Sequence, residues 1–140
     1  MSVYLRENPF IQFFDEYVLP GFSPSGILGI SIAGVSQVVP GRTFARLYKK
    51  KFPETHIVIG GSIFTHLADR LKEWPEAFGL LFDSVVIYEG EIPLLELCRC
   101  IEKGSRLEAI PNLIYKKDSL IKENPLCTPK PMDMMPTPFF

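Results

Sequence analysis

Apolar residues recur along the chain with two different periods, and the switches between them mark the elements. In "NPFIQFFDEYVL" the positions Phe10, Ile11, Phe14, Val18 and Leu19 follow helical spacing. Asn8 is placed to cap this helix, Pro9 suits its first position, and Pro20-Gly21 ends it. "GILGISIAG" (26–34) and "HIVIGG" (56–61) are short continuous apolar runs closed by turn residues, the pattern of buried strands. Between them, "SQVVPGRTFARLYKKK" predicts a helix with Ser36 as its cap and Pro40 in its first turn, where proline is tolerated. Phe44, Leu47 and Tyr48 would face the sheet, and Lys49, Lys50 and Lys51 would form a solvated end that suits the helix dipole. "IFTHLADRLKEW" predicts another helix, and residues 84–88 a third strand. "IPLLELCRCIEKG" predicts a helix with Pro93 near its start and Gly104 past its end. "NLIYKKDSLIKE" has two short runs around Lys117-Asp118, a hairpin pattern.

Apolar strands alternating with helices give an α/β fold: a flavodoxin-like or Rossmann-like parallel sheet with helices on both faces, followed by a C-terminal β-hairpin. In such sheets ligands bind at the carboxyl ends of the strands. Three turns fall there: Ser31–Gly34, Gly60-Gly61 and Glu89-Gly90-Glu91.

Composition narrows the setting. A chain of 140 residues, 46% hydrophobic and 22% charged, is one ordinary globular domain. A formal net charge of -1 supplies no field that favours nucleic acid or an anionic membrane. No apolar stretch approaches the roughly 18 residues that span a bilayer, and "MSVYLRENPF" lacks the apolar core of a signal peptide. Three cysteines, an odd number, argue against a disulfide framework and for a reducing cytoplasm. The Pro-rich tail "CTPKPMDMMPTPFF" reads as an extended linker over 125–140, after a domain over 1–124. Its final two phenylalanines suggest either a packed extended tail or a chain cut from something longer.

The order and spacing of these turns resemble the cobalamin-binding Rossmann-like domains, in which a serine follows one strand (S-x-L) and Gly-Gly follows the next. Here Ser31-Ile32-Ala33 is followed by 26 residues, 34 to 59, and then by Gly60-Gly61, with Ala33 in place of the leucine. "FDSVVIYEGEIPLLEL", "LEAIPNLIYKKDSLI" and "PMDMMPTPFF" extend the likeness to the cobalamin domain that precedes the barrel of B12-dependent radical SAM enzymes. That family has a G-E-G-E turn, in which Tyr88 here replaces the first glycine, and Asn112 stands where glycine is common. Neither D-x-H-x-x-G, whose histidine ligates cobalt in many such domains, nor the cluster-binding C-x-x-x-C-x-x-C occurs in this sequence. The resemblance therefore implies a partial domain lacking its first two strands, with the SAM and [4Fe–4S] sites in a barrel outside it.

What the resemblance implies for the site is a slot for cobalamin's nucleotide tail, lined by Ser31, Ile32, Ala33, Gly34, Gly60, Gly61, Glu89, Gly90 and Glu91. The Ser31 hydroxyl would hydrogen-bond a buried tail nitrogen. The two glycines would let backbone approach closely, and amides near Ser36 would meet polar tail groups. The module itself would be non-catalytic, its parent a methyltransferase or radical-rearrangement enzyme.

Blander readings stand beside each of these. Gly60-Gly61 ends a strand in any doubly wound fold, and Ser31 serves equally as a helix-side cap. Cys98 and Cys100 point to different faces of one helix, so no chelate is expected; His56 and His66 read as surface or packing residues. Glu89 and Glu91 have no accompanying nucleophile. A flavodoxin-like regulatory or protein-interaction domain without cofactor is the rival function. A nucleotide-binding enzyme ranks last, for want of G-x-G-x-x-G or a P-loop. If the first-strand neighbour is missing, the strand at 28–34 is an open edge, and a homo-oligomer covering it is expected.

Overall fold

The structure, a computed structural model, describes residues 8–128 together with Pro131 and Asp133. Most of the expected Pro-rich tail lies outside these described residues. The chain opens as anticipated: Asn8 Oδ1 accepts from Phe10 N (3.0 Å), and Pro9 begins α1, Pro9–Phe13. The helical path continues through a π turn, Phe14–Val18, and a 3-10 turn, Leu19–Gly21.

Five strands follow in one sheet: β1 Ile27–Ser31, β2 His56–Gly60, β3 Ser84–Val86, β4 Leu113–Lys117 and β5 Leu120–Glu123. Their order in space is their order in sequence. β1, β2 and β3 run parallel; β4 and β5 run antiparallel. The hairpin is thus no appendage but the far side of the sheet, which is mixed rather than purely parallel. Its turn works because Asp118 (φ 50°) and Ser119 (φ 70°) both enter the left-handed region a two-residue hairpin requires.

The helices are α2 Val38–Lys51, α3 Ser62–His66, α4 Ala68–Leu71 and α5 Glu91–Lys103. The single helix expected over 63–74 is two short ones, parted at Leu67. At the break the His66 ring turns back onto the Ser62 carbonyl (2.7 Å). Gly104 (φ 63°) closes α5 in the left-handed conformation.

Strand alternation divides the core between the two faces. Leu28, Ile30, Ile32, Ile57, Ile59, Val85 and Ile114 pack with Ala45 and Tyr48 of α2. Val58, Val86, Leu113 and Tyr115 pack with Leu97 and Cys100 of α5. Each fully buried aliphatic side chain contributes about 1.5–3 kcal/mol through lost water contact. The turns after α1 reach this core through α2, with the Phe14 and Phe22 ring centres 5.2 and 5.5 Å from that of Phe44. β1 is an outer strand of the sheet, paired with β2 alone among the described residues.

Two side-chain expectations change. The lysine run is not simply a solvated end: Lys49 Nζ donates to Asp83 Oδ2 and to the Thr55 carbonyl (both 2.8 Å), and Lys51 Nζ to the Leu19 carbonyl (3.1 Å). A 3-10 turn, Val35–Gln37, precedes α2, so Ser36 lies inside that turn and Gln37 takes the cap position of the helix.

Candidate functional site

Three turns meet at the carboxyl edge of the parallel strands, after β1, β2 and β3. The parallel register sets Ser31 directly opposite Gly60. Ile32 N donates to the Gly60 carbonyl at 2.8 Å, which holds that register. Serine and glycine therefore stand side by side, about 4.8 Å apart, the spacing of paired strands. Alternation fixes the face. Ile30 and Ile32 belong to the α2 core while Ile27 and Val58 belong to the α5 core, so Gly29, Ser31 and Gly60 lie on the α5 side. Val58 and Val86, with Ile27 at the start of β1, pack in the α5 core, while Gly29 and Ser31 further along β1 remain exposed. Gly29, Ser31 and Gly60 form a patch of small residues on this face, the candidate slot, with Gly90 following β3 at the start of α5.

The two adjacent glycines do different work. A Cβ on Gly61 would lie 2.3 Å from the Ile32 carbonyl oxygen and 2.9 Å from its nitrogen, and Gly61 has φ +108°. Glycine at 61 is required by the chain's own crossing. A Cβ on Gly60 would meet only the Val86 carbonyl oxygen, at 3.5 Å, an ordinary contact. Folding does not require glycine there, yet its absent side chain keeps the floor beside Ser31 open.

Polar groups around the slot are unevenly committed. The Ala33 and Gly34 amides donate to Gln37 Oε1 (2.8 and 3.2 Å), and the Ala33 carbonyl accepts from Ser62 Oγ (2.8 Å). The amides expected to meet a ligand on this turn are thus partly satisfied from within. The Ile32 side chain is turned into the opposite core, which removes it from the slot. Ser31 is exposed.

The third turn is held from two sides. Tyr88 sits at φ 59° and donates its amide to Thr65 Oγ1 (2.8 Å). The Glu89 carbonyl accepts from Asn112 Nδ2 (3.2 Å). Glu89 and Glu91 are exposed, and Glu91 opens α5, where the helix dipole favours a carboxylate. Gln37, Thr65 and Asn112 escaped the reading of the sequence. Only Asn112 carried a signal, as an asparagine where glycine is common.

Ionisable groups that do interact are elsewhere. At the amino end of the sheet, His56 Nε2 pairs with the buried Ser84 Oγ (2.8 Å), and Asp83 Oδ2 accepts from Ile57 N (2.7 Å). Desolvation holds the His56 imidazole below its ordinary pKa, opposed by Asp83 and assisted by Lys49. On α5, burial raises the Cys100 thiol, keeping it a protonated packing residue. Residues 31–36, 60–62 and 88–91 contain no cysteine, histidine or lysine. These turns offer the Ser31 hydroxyl, backbone carbonyls and the exposed Glu89 and Glu91 carboxylates. No helix among the described residues is long and apolar enough to cross a membrane.

No family model matches the chain. It is 29% identical to the "Uncharacterized methyltransferase PH0819" of Pyrococcus horikoshii, an alignment covering 88% of this chain and 26% of that protein. Among solved structures it is similar to TsrM of Kitasatospora setae, a radical S-adenosylmethionine methyltransferase. The likeness to TsrM with cobalamin and a [4Fe-4S] cluster bound has a TM-score of 0.58 at 22% identity, over 86% of this chain and 23% of TsrM. TsrM with tryptophan substrate and a SAM analogue gives 0.57 at 21% identity, over 86% and 22%. The chain thus spans about a quarter of the length of the proteins it matches, and it shares its α/β fold with a segment of TsrM.

Proposed function

We propose that this chain is a cobalamin-binding module of a radical SAM methyltransferase and is not itself catalytic. The observation that carries this reading is the pairing of Ser31 with Gly60 across adjacent strands, where Ser31 is exposed and where folding alone does not demand glycine at 60. TsrM, which shares the fold, carries cobalamin and a [4Fe-4S] cluster. Bound cobalamin would supply the cobalt chemistry, and the protein's task would be position.

Ser31, Gly60 and the Glu89–Gly90–Glu91 turn would hold the cofactor's nucleotide tail, with Gly29 extending the floor. Ser31 would donate to or accept from a polar tail atom. Gly61 would act indirectly, by keeping the turns after β1 and β2 in close contact. SAM and the iron–sulfur cluster would belong to a barrel joined through residues 125–140.

Equilibrium dialysis against cobalamin tests the reading. Because β1 is an outer strand here, the chain should bind more weakly than the micromolar range. Ser31→Ala should weaken binding about 2- to 12-fold, one hydrogen bond's worth, and Gly60→Leu should abolish it. Binding that is undiminished in Gly60→Leu would overturn the slot.

A further inference from the structure

Asn112 is buried, 2% exposed, in the left-handed conformation at φ 55°, and it touches three separate segments. Its carbonyl accepts from Ile87 N at the end of β3 (3.0 Å). Its side-chain Nδ2 donates to the Glu89 carbonyl in the turn that bounds the slot (3.2 Å). Its amide donates to the Pro125 carbonyl (3.1 Å), and its Oδ1 accepts from Cys127 N (2.8 Å). Glycine would adopt the same backbone conformation more readily. It could not supply either side-chain bond, which together join the turn after β3 to the chain that follows the hairpin.

The other buried asparagine shows the contrast. Asn124 Nδ2 donates to the Leu107 and Ile110 carbonyls (both 2.7 Å), so it ties the hairpin only to the loop before it. No other side chain among the described residues hydrogen-bonds both a slot turn and the chain after β5.

We infer that Asn112 is a positioning residue that transmits displacement of the Pro125–Cys127 segment to the Glu89–Gly90–Glu91 turn, and so sets the width of the slot according to how the following chain is held. The slot clause rests on the cobalamin reading above; the mechanical coupling does not. A single amide group accepts from one segment and donates to the other, so moving Cys127 drags or releases Glu89. In Asn112→Gly the same backbone path remains but this link is gone.

The test is a double-mutant cycle read by hydrogen exchange, since coupling energy is what a cycle isolates. Cys127→Pro removes the Cys127 N–H donor, and ending the chain after Leu126 removes it without proline's constraint. In either variant, exchange at Tyr88–Glu91 should quicken about tenfold, the scale of one hydrogen bond weakened through another. In the Asn112→Gly background the same change should have no further effect on that turn. β1 and β2 amides should stay unchanged throughout, which separates the effect from general loosening. Additive effects in the cycle, or a turn indifferent to both exit variants, would overturn the inference whatever the chain binds. Coupling together with weaker cobalamin binding in Asn112→Gly supports the whole proposal. Coupling with binding unaltered would refute the slot clause. A wild-type chain with no Gly60-sensitive binding would sink the functional reading and leave the mechanical link standing.

Discussion

Replacing Gly60 and Gly61 separately should give opposite results, because the two residues answer to different constraints. For Gly61→Ala, a side chain at φ +108° costs about 1–2 kcal/mol before any contact is counted. The new Cβ would lie 2.3 Å from the Ile32 carbonyl oxygen, so the turns after β1 and β2 must separate. Two bonds hold them together, Ile32 N to the Gly60 carbonyl and Ser62 Oγ to the Ala33 carbonyl (both 2.8 Å). Losing both removes about 0.5–1.5 kcal/mol each. The total is roughly 2–5 kcal/mol, and at about 3–4 °C per kcal/mol for a chain of this size Tm should fall by roughly 6–20 °C. Gly60→Ala has its nearest contact at 3.5 Å and no left-handed φ. It should leave Tm unchanged or raise it by a few degrees, since alanine narrows the unfolded ensemble by about 0.4–1 kcal/mol. Scanning calorimetry of the two variants decides the matter. Equal destabilisation, or a tolerant position 61, would refute the division of labour and with it the claim that Gly60 is kept open for a ligand.

Two further outcomes follow from the amino end and the edge of the sheet. His56 is held neutral by burial, so the unfolded chain binds its proton more readily; its contribution to stability is complete above the ordinary histidine pKa and is lost as pH falls below it. His56→Gln should therefore flatten the decline in Tm between about pH 7 and pH 5 that the wild type shows, and an unchanged decline would contradict it. β1, unpaired on its outer side among the described residues, should associate with a second copy of the chain; sedimentation velocity at micromolar concentration should show a dimer or larger species, and a clean monomer that unfolds cooperatively would contradict this.

Much of the fold was legible because local chemistry and tertiary structure agree. Asn8-Pro9 begins a helix, Gly104 ends one, and the apolar runs at 27–31 and 56–60 are strands wherever they pack. The antiparallel side of the sheet was not legible, because a hairpin's sequence fixes its own turn and says nothing of the strand it will join. Ser36 had the chemistry of a cap, but an intervening 3-10 turn gave the position to Gln37, whose longer side chain reaches back to Ala33 and Gly34. Spacing placed Ser31 and Gly60 at the ends of two successive strands, while their exact register needed coordinates. The two departures from a glycine pattern, Tyr88 and Asn112, both fall at positive φ, 59° and 55°. The glycine pattern was a backbone requirement, met here by a tyrosine braced on Thr65 and by an asparagine with bonds of its own. At Gly61 steric need inside the chain and steric need of a ligand would select the same amino acid, so the sequence alone does not separate them.

The most direct measurement is a two-dimensional amide NMR titration of the isotope-labelled chain with hydroxocobalamin, carried to millimolar concentration. Amides of Ser31–Gly34, Gly60, Gly61 and Glu89–Glu91 should shift together along one saturable curve, weaker than micromolar, and the amides of these turns should not shift in Gly60→Leu. Shifts confined to other parts of the chain, or a spectrum indifferent to cobalamin throughout, would contradict this.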